Sequence, residues 1–171
     1  MIKTQRLTLK PFDDADQEGM IELLTNEKVK KTFMIPDFHS KEEVEALFKK
    51  LKEDSISKNH YERGIYLHNV LIGFINDVEV EGDKIELGYV IHPAFHNKGY
   101  ATEALDAAIN DLFQKGFSEV IAGAFEQNVP SYRVMEKCGM CRMDREEDIE
   151  YQGVLYHCIY YSIKNKIDNL K

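Results

Sequence analysis

The chain has 171 residues, 43% apolar and 30% charged, enough for one domain with a substantial core and too few for two comfortable ones. A formal net charge of −8 excludes a broad nucleic-acid surface, which needs an electropositive face, and suits a cationic acceptor such as an amine or a basic protein tail. The polar start Met1-Ile-Lys-Thr-Gln-Arg6 has no apolar signal core and no apolar run of about 18 residues follows, so a cytoplasmic protein without a membrane span is expected.

Thr4 to Phe12 alternates Leu7 and Leu9 with polar neighbours, the pattern of a half-buried strand. Asp13 or Asp14 can cap the following helix, whose apolar side is Met20, Ile21, Leu23 and Leu24. A short irregular helix around Glu27–Thr32 and a loop through Pro36 come next. Ser40-Lys-Glu-Glu43 reads as a capping box for a helix with Val44, Leu47, Phe48 and Leu51 on its buried stripe. Its lysines and glutamates read as a solvated face.

From Glu62 the pattern turns to β. Ile65–His68 and Leu71–Val80 are predicted strands joined by a tight turn at His68-Asn-Val, and Glu81-Gly-Asp83 leads into a strand through Ile85 to His92. Ala101, Ala104, Leu105, Ala108, Ile109, Leu112 and Phe113 recur at helical spacing, and Gly116 ends that helix. Ser118–Phe125 is an apolar strand. Asn128 can cap the next helix, with Pro130 in its first turn and Gly139 past its end. Arg142–Ile149 and Val154–Ile163 form a last hairpin around Tyr151-Gln-Gly153. The order β-α-α-α-β-β-β-α-β-α-β-β predicts a single α/β domain over residues 1–171, with a mixed, mostly antiparallel sheet flanked by helices.

The segment Lys84–Lys115 organises the chain. It delivers a Gly-containing loop, His96-Asn-Lys-Gly-Tyr-Ala101, from a strand to a helix N-terminus. Backbone N–H groups without helical partners gather at such an end and attract phosphate. Taken alone the signal is modest, because Gly99 can simply make the turn and Lys98 can simply be solvated. The P-loop pattern and G-x-G-x-x-G are both absent. Asn128-Val-Pro-Ser131 through Cys138-Gly-Met140, read alone, is an ordinary capped helix burying Val134, Met135 and Cys138.

Cys138-Gly-Met-Cys141 is a C-x-x-C, but a zinc site needs two further ligands and only Cys158 beside His157 offers one. Cys138 also ends a helix, where the dipole disfavours a thiolate. Buried apolar cysteines are the favoured reading, with no metal. His92 and His96 are four apart, but Pro93 between them breaks any helical metal pair.

Together the two segments resemble the Gcn5-related N-acetyltransferase (GNAT) superfamily, and within it the RimJ/RimL-like branch. His96-Asn-Lys-Gly99-Tyr-Ala101 looks like the Arg/Gln-x-x-Gly-x-Gly/Ala motif, and Thr102-Glu103-Ala104 continues it. Glu86-Leu-Gly-Tyr-Val-Ile-His-Pro93 resembles the branch's Glu-Ile-Gly-Tyr strand, and Asn128-x-x-Ser131 through Glu136-Lys-x-Gly139-Met resembles its Asn-x-x-Ser…Glu-Lys-x-Gly-Phe helix. Thr4-x-Arg-Leu-x-Leu-x-Pro-Phe12 matches its opening. The resemblance covers essentially the whole chain in order.

It implies an acetyl-CoA-dependent N-acetyltransferase acting by direct attack on an amine, either a protein N-terminus, such as a ribosomal protein's, or a small amine. Acetyl-CoA would lie along Val90, Ile91 and His92 and against His96, Asn97, Lys98, Gly99, Tyr100, Ala101 and Thr102, with Asn128 and Ser131 from the second helix. His96 departs from the usual Arg or Gln. Met135 stands where many members carry a Tyr general acid, so Ser131 becomes the candidate for stabilising the departing thiolate. Attack needs a neutral amine, for which Glu86 is the candidate base, with Asp77, Glu79 and Glu126 as other carboxylates of the cleft. The oxyanion donor would be a backbone N–H of the Glu86–His92 strand. A homodimer is compatible with the family. Two other readings stay open: an acyl-CoA-binding or regulatory module with little transferase activity, and a nucleotide-phosphate binder.

Overall fold

The computed structural model describes residues 1–166. Its strands are β1 (Ile2–Lys3), β2 (Leu7–Lys10), β3 (Arg63–Leu67), β4 (Val70–Glu81), β5 (Lys84–Ile91), β6 (Glu119–Phe125), β7 (Cys141–Tyr151) and β8 (Val154–Lys164). Its helices are α1 (Gln17–Thr25), α2 (Glu27–Lys30), α3 (Lys41–Ile56), α4 (Tyr100–Gln114) and α5 (Val129–Lys137). The strand order is β1-β2-β3-β4-β5-β6-β8-β7. The β5–β6 ladder is parallel, whereas β1–β2, β2–β3, β3–β4, β6–β8 and β7–β8 are antiparallel. Parallel neighbours need a crossover, and α4 supplies it. This is the mixed, mostly antiparallel sheet with flanking helices that the sequence predicts.

Main-chain contacts divide the chain into two compact units, Met1–Asn76 with Tyr89–Ala104, and Asp77–Gly88 with the chain from Leu105 onward. In the first, α1, α2 and α3 close a core of Phe12, Met20, Leu23, Leu24, Val29, Val44, Phe48, Phe74 and Val90. In the second, Phe125, Cys158 and Tyr160 form a smaller cluster, with the Phe125 and Tyr156 rings stacked at 4.3 Å. The apolar stripe expected on α4 is real: Ala104, Leu105, Ala108, Ile109 and Leu112 are all buried.

Two hairpins have two-residue turns in which both residues take positive φ, His68-Asn69 between β3 and β4 and Gln152-Gly153 between β7 and β8. That left-handed pair matches the strand twist. The N-terminal strand is shorter than its alternation suggests. Thr4 turns back on Leu7, its N–H donating to Leu7 O at 3.0 Å and its Oγ1 accepting the Leu7 N–H at 2.9 Å, so pairing restarts at Leu7 and Ile2–Lys3 becomes a separate strand. Asp13 caps a single 3₁₀ turn, Asp14–Asp16, rather than α1 itself. At α3, Ser40 Oγ accepts the Glu43 N–H, but the Glu43 carboxylate reaches the His39 N–H instead of closing the box on Ser40. Among the described residues no helix is long and apolar enough to cross a membrane.

Candidate active site

The loop between β5 and α4 belongs to the first unit. His92 follows β5 with its N–H on Ile72 O at 2.7 Å, and its Nδ1 accepts the Ala94 N–H, capping a 3₁₀ turn over Pro93–Phe95. With Nδ1 accepting, the ring proton sits on Nε2 and is donated to Glu22 Oε1 at 2.9 Å. His96 turns its Nε2 onto Ile91 O at 2.7 Å. A carbonyl only accepts, so this nitrogen also carries a proton, and His96 ties the loop to the end of the strand. Val90 and Ile91 are buried there.

Asn97 and Gly99 take left-handed φ of 60° and 79°, conformations that Asn tolerates and Gly adopts freely. The main chain thereby turns into α4, whose first helical bond runs from Glu103 N–H to Gly99 O at 3.0 Å. The amides of Tyr100 and Ala101 precede that bond at the helix end, where the dipole favours an anion. Lys98 lies over the Phe95 ring at 5.5 Å, with its Nζ 3.4 Å from Ala94 O.

A clamp that the sequence reading does not assign holds this loop from the N-terminal segment. The Arg6 guanidinium bonds Glu103 Oε2 at 2.7 Å and Lys98 O at 2.8 Å, and lies 4.6 Å from the Tyr100 ring centre. Thr4 Oγ1 and Arg6 N–H both donate to Glu103 Oε1, at 2.6 and 2.8 Å. Burial alone would raise the Glu103 carboxyl, but Thr4 and the two Arg6 donors hold it below the usual range. The only sequence signal for the clamp is the Thr-x-Arg opening.

The remaining candidates belong to the second unit. Glu86 lies opposite Ile121 in the β5–β6 ladder, which stops at Leu87↔Ala122 although both strands continue. Its side chain is 11% exposed and is bonded by Arg145 Nη1 at 2.8 Å. Burial pushes its carboxyl up, the Arg145 charge and hydrogen bond draw it back, and the balance stays above the ordinary value. Arg145 also bonds Glu147 Oε1 through Nε at 2.8 Å and lies 3.9 Å from the Tyr160 ring centre, while Tyr160 Oη donates to Glu147 Oε2. No local pattern in the acidic β7 singles out this arginine.

Asn128 precedes α5, but its side chain makes no capping bond. The reason is local: Pro130 has no N–H, and the Ser131 N–H is taken by Asn128 O at 3.0 Å. Ser131 is half-buried in the first turn of α5, and Met135 is fully buried. A core methionine has no proton to give. Cys138 and Cys158 are buried, Cys141 is exposed, and all three are free thiols. Among the described residues no group of three or more His, Cys, Asp or Glu side chains is placed to hold a metal ion.

The family model for an acetyltransferase (GNAT) domain matches residues 6–141. The chain belongs to the GNAT acetyltransferases. The uncharacterized N-acetyltransferase YnaD of Bacillus subtilis is 33% identical over 144 residues, 82% of each chain. A crystal structure of a GNAT-family acetyltransferase from Bacillus anthracis superposes with a TM-score of 0.82 at 30% identity, over 95% of this chain and 97% of that one. RimL, a ribosomal L7/L12 α-N-protein acetyltransferase solved with coenzyme A, shares the fold with a TM-score of 0.82 at 16% identity, over 94% and 95%. The GNAT match begins at Arg6, the residue that clamps the β5–α4 loop.

Proposed function

We propose that the chain acts as one catalytic domain over residues 1–171, a RimJ/RimL-like N-acetyltransferase that moves the acetyl group of acetyl-CoA onto an amine. The observation that carries this reading is the start of α4. Left-handed turns at Asn97 and Gly99 bring the amides of Tyr100 and Ala101 to the helix end beside an exposed loop, with Lys98 just before them. That donor set fits a pyrophosphate: it offers N–H groups, a positive dipole end and no carboxylate before Glu103. Val90, Ile91 and His92 would hold the pantetheine arm, and His96, Asn97, Lys98, Gly99, Tyr100, Ala101 and Thr102 the phosphates. Asn128 and Ser131 complete the proposed cofactor set, and the RimL complex with coenzyme A is consistent with it.

The chemistry is a direct displacement. A neutral amine nitrogen bonds to the acetyl carbon, the carbon–sulfur bond breaks, and the thiolate leaves. Glu86 would take the amine proton, for which its raised affinity relative to an ordinary carboxylate is suited. A backbone N–H of β5 would stabilise charge on the thioester oxygen, and the Ser131 hydroxyl would donate to the departing sulfur. No metal enters these steps. The acceptor is an amine, either a peptide N-terminus such as that of a ribosomal protein or a small amine, and the net charge of −8 favours cationic ones.

Thiol release from acetyl-CoA in the presence of a panel of N-terminal peptides, polyamines and aminoacyl compounds tests the proposal. At least one amine is expected to raise release well above hydrolysis. Saturable acetyl-CoA binding with no amine-dependent release would leave an acyl-CoA-binding or regulatory module. Displacement of CoA by ATP at comparable concentration would indicate a general nucleotide-phosphate site.

A further inference from the structure

Glu86 is a half-buried carboxylate with a partner, and the partner is itself held in place. Arg145 reaches it with Nη1 at 2.8 Å while its Nε is bonded to Glu147 Oε1 at 2.8 Å. The Tyr160 ring lies against the guanidinium at 3.9 Å, and the Tyr160 hydroxyl donates to the far oxygen of Glu147 at 3.1 Å. The fork of Arg145 is thus fixed by one carboxylate and one aromatic face, and its remaining arm is aimed at Glu86. An arginine side chain that is 33% exposed has no need of such fixing for solubility.

From this geometry we infer that Arg145 is a positioning residue for the reaction: it orients Glu86 and keeps it ionised, so that it is ready to accept the amine proton. The inference rests on the reading of Glu86 as the base. The neighbouring carboxylates push the opposite way. Glu79 of β4 and Glu147 of β7 both repel its charge, and burial disfavours it. Tyr160 and Cys158 of β8 feel the Glu86 charge in turn, and both are themselves pushed up first by burial, so neither supplies an anion near neutral pH. Lys84, two residues earlier on β5, is engaged with Glu119 at 3.6 Å. Arg145 is therefore the cation that the Glu86 carboxylate depends on.

Its loss has a signature that a merely structural residue would not give. An opposite charge within hydrogen-bond reach shifts a carboxyl by about one to three pH units, so Arg145→Gln should move the acidic limb of kcat/KM upward by about one unit or more. At pH values below the limb in both proteins the rate should fall about tenfold, while the rate at pH 9 changes little. The acceptor amine is the same in every variant, so its own titration cancels in the comparison. Arg145→Lys, which keeps the charge and loses the fork, should restore most of the limb. Glu86→Gln should remove the contribution of Glu86 to the limb in either background.

The second readout needs no turnover. Carbon-13 carboxyl shifts of the full chain, assigned by difference with Glu86→Gln, should show the Glu86 midpoint rising in Arg145→Gln. A rate loss equal at all pH values with an unmoved midpoint would overturn the role of Arg145. A limb unaffected by Glu86→Gln would instead overturn the reading of Glu86 as the base, while the carbon-13 midpoint would still decide whether Arg145 controls its charge. Should Arg145→Gln fail to fold, Arg145→Lys carries the test: an unchanged limb and midpoint support control by charge, and uniform loss refutes it.

Discussion

Replacing Arg6 by Ala tests whether the N-terminal segment shapes the candidate cofactor loop. The substitution removes a guanidinium bond to Glu103 at 2.7 Å, another to Lys98 O at 2.8 Å, and the Tyr100 ring contact at 4.6 Å. The Arg6 side chain is 41% exposed, so the ion pair is discounted for solvent to about 0.5 kcal/mol. The charged hydrogen bond and the ring contact add about 0.5 kcal/mol each under the same discount. The total is about 1–2 kcal/mol. Glu103 is not orphaned, because Thr4 Oγ1 and the Arg6 main-chain N–H remain on its other oxygen. The loss therefore falls on Lys98–Tyr100, the turn that presents the α4 amides. If the loop must be ordered to bind, about 1.4 kcal/mol converts to a tenfold weaker CoA dissociation constant. Titration calorimetry with CoA and a thermal melt on the same protein separate the outcomes. Weaker CoA binding with a small fall in Tm supports the clamp. A lowered Tm with unchanged CoA affinity would refute it, since the contacts would then serve the fold and not the loop.

The other expectations follow from the same geometry. Gly99→Asp should abolish CoA binding with the fold retained: it places a side chain at φ 79° on the exposed turn, with its Cβ 3.3 Å from Arg6 Nη2, and adds a charge that repels phosphate. Unchanged affinity would show that the loop is not the cofactor site. Glu103 has a folded-state pKa below its unfolded value, so its contribution to stability is present above about pH 4.3 and is lost as pH falls through the folded value. Glu103→Gln should accordingly cost stability in urea at pH 7 and progressively less as the pH falls below about 4.3, and a loss that does not change with pH would contradict this. Alkylation of the native protein at pH 8 should label Cys141 first, because burial and the nearby Asp106 charge push the Cys138 thiol up to about 12 and burial also raises Cys158. Rapid labelling of two thiols would disprove that assignment.

Much of the architecture could be read locally because each signal is local. The α4 stripe repeats within single turns, and the His68-Asn69 and Gln152-Gly153 turns are set by their own two residues. The Asn128 cap fails for an equally local reason, once Pro130 is counted as a missing donor. The two arginine clamps escape such reading, because Arg6 finds Glu103 across 97 positions and Arg145 finds Glu86 across 59. In the sequence, Glu86 and Glu103 are each one glutamate on a regular element beside a motif. The structure gives them opposite chemistry. Glu103 receives a hydroxyl, an amide and a guanidinium and stays a committed carboxylate; Glu86 is more deeply buried, receives one guanidinium, and ends with a raised affinity for a proton. A carboxylate held by three donors suits a clamp, and one held by a single donor against burial suits proton transfer. That difference in partners, rather than the residue type, is the physical ground on which proton transfer is proposed for Glu86 and not for Glu103.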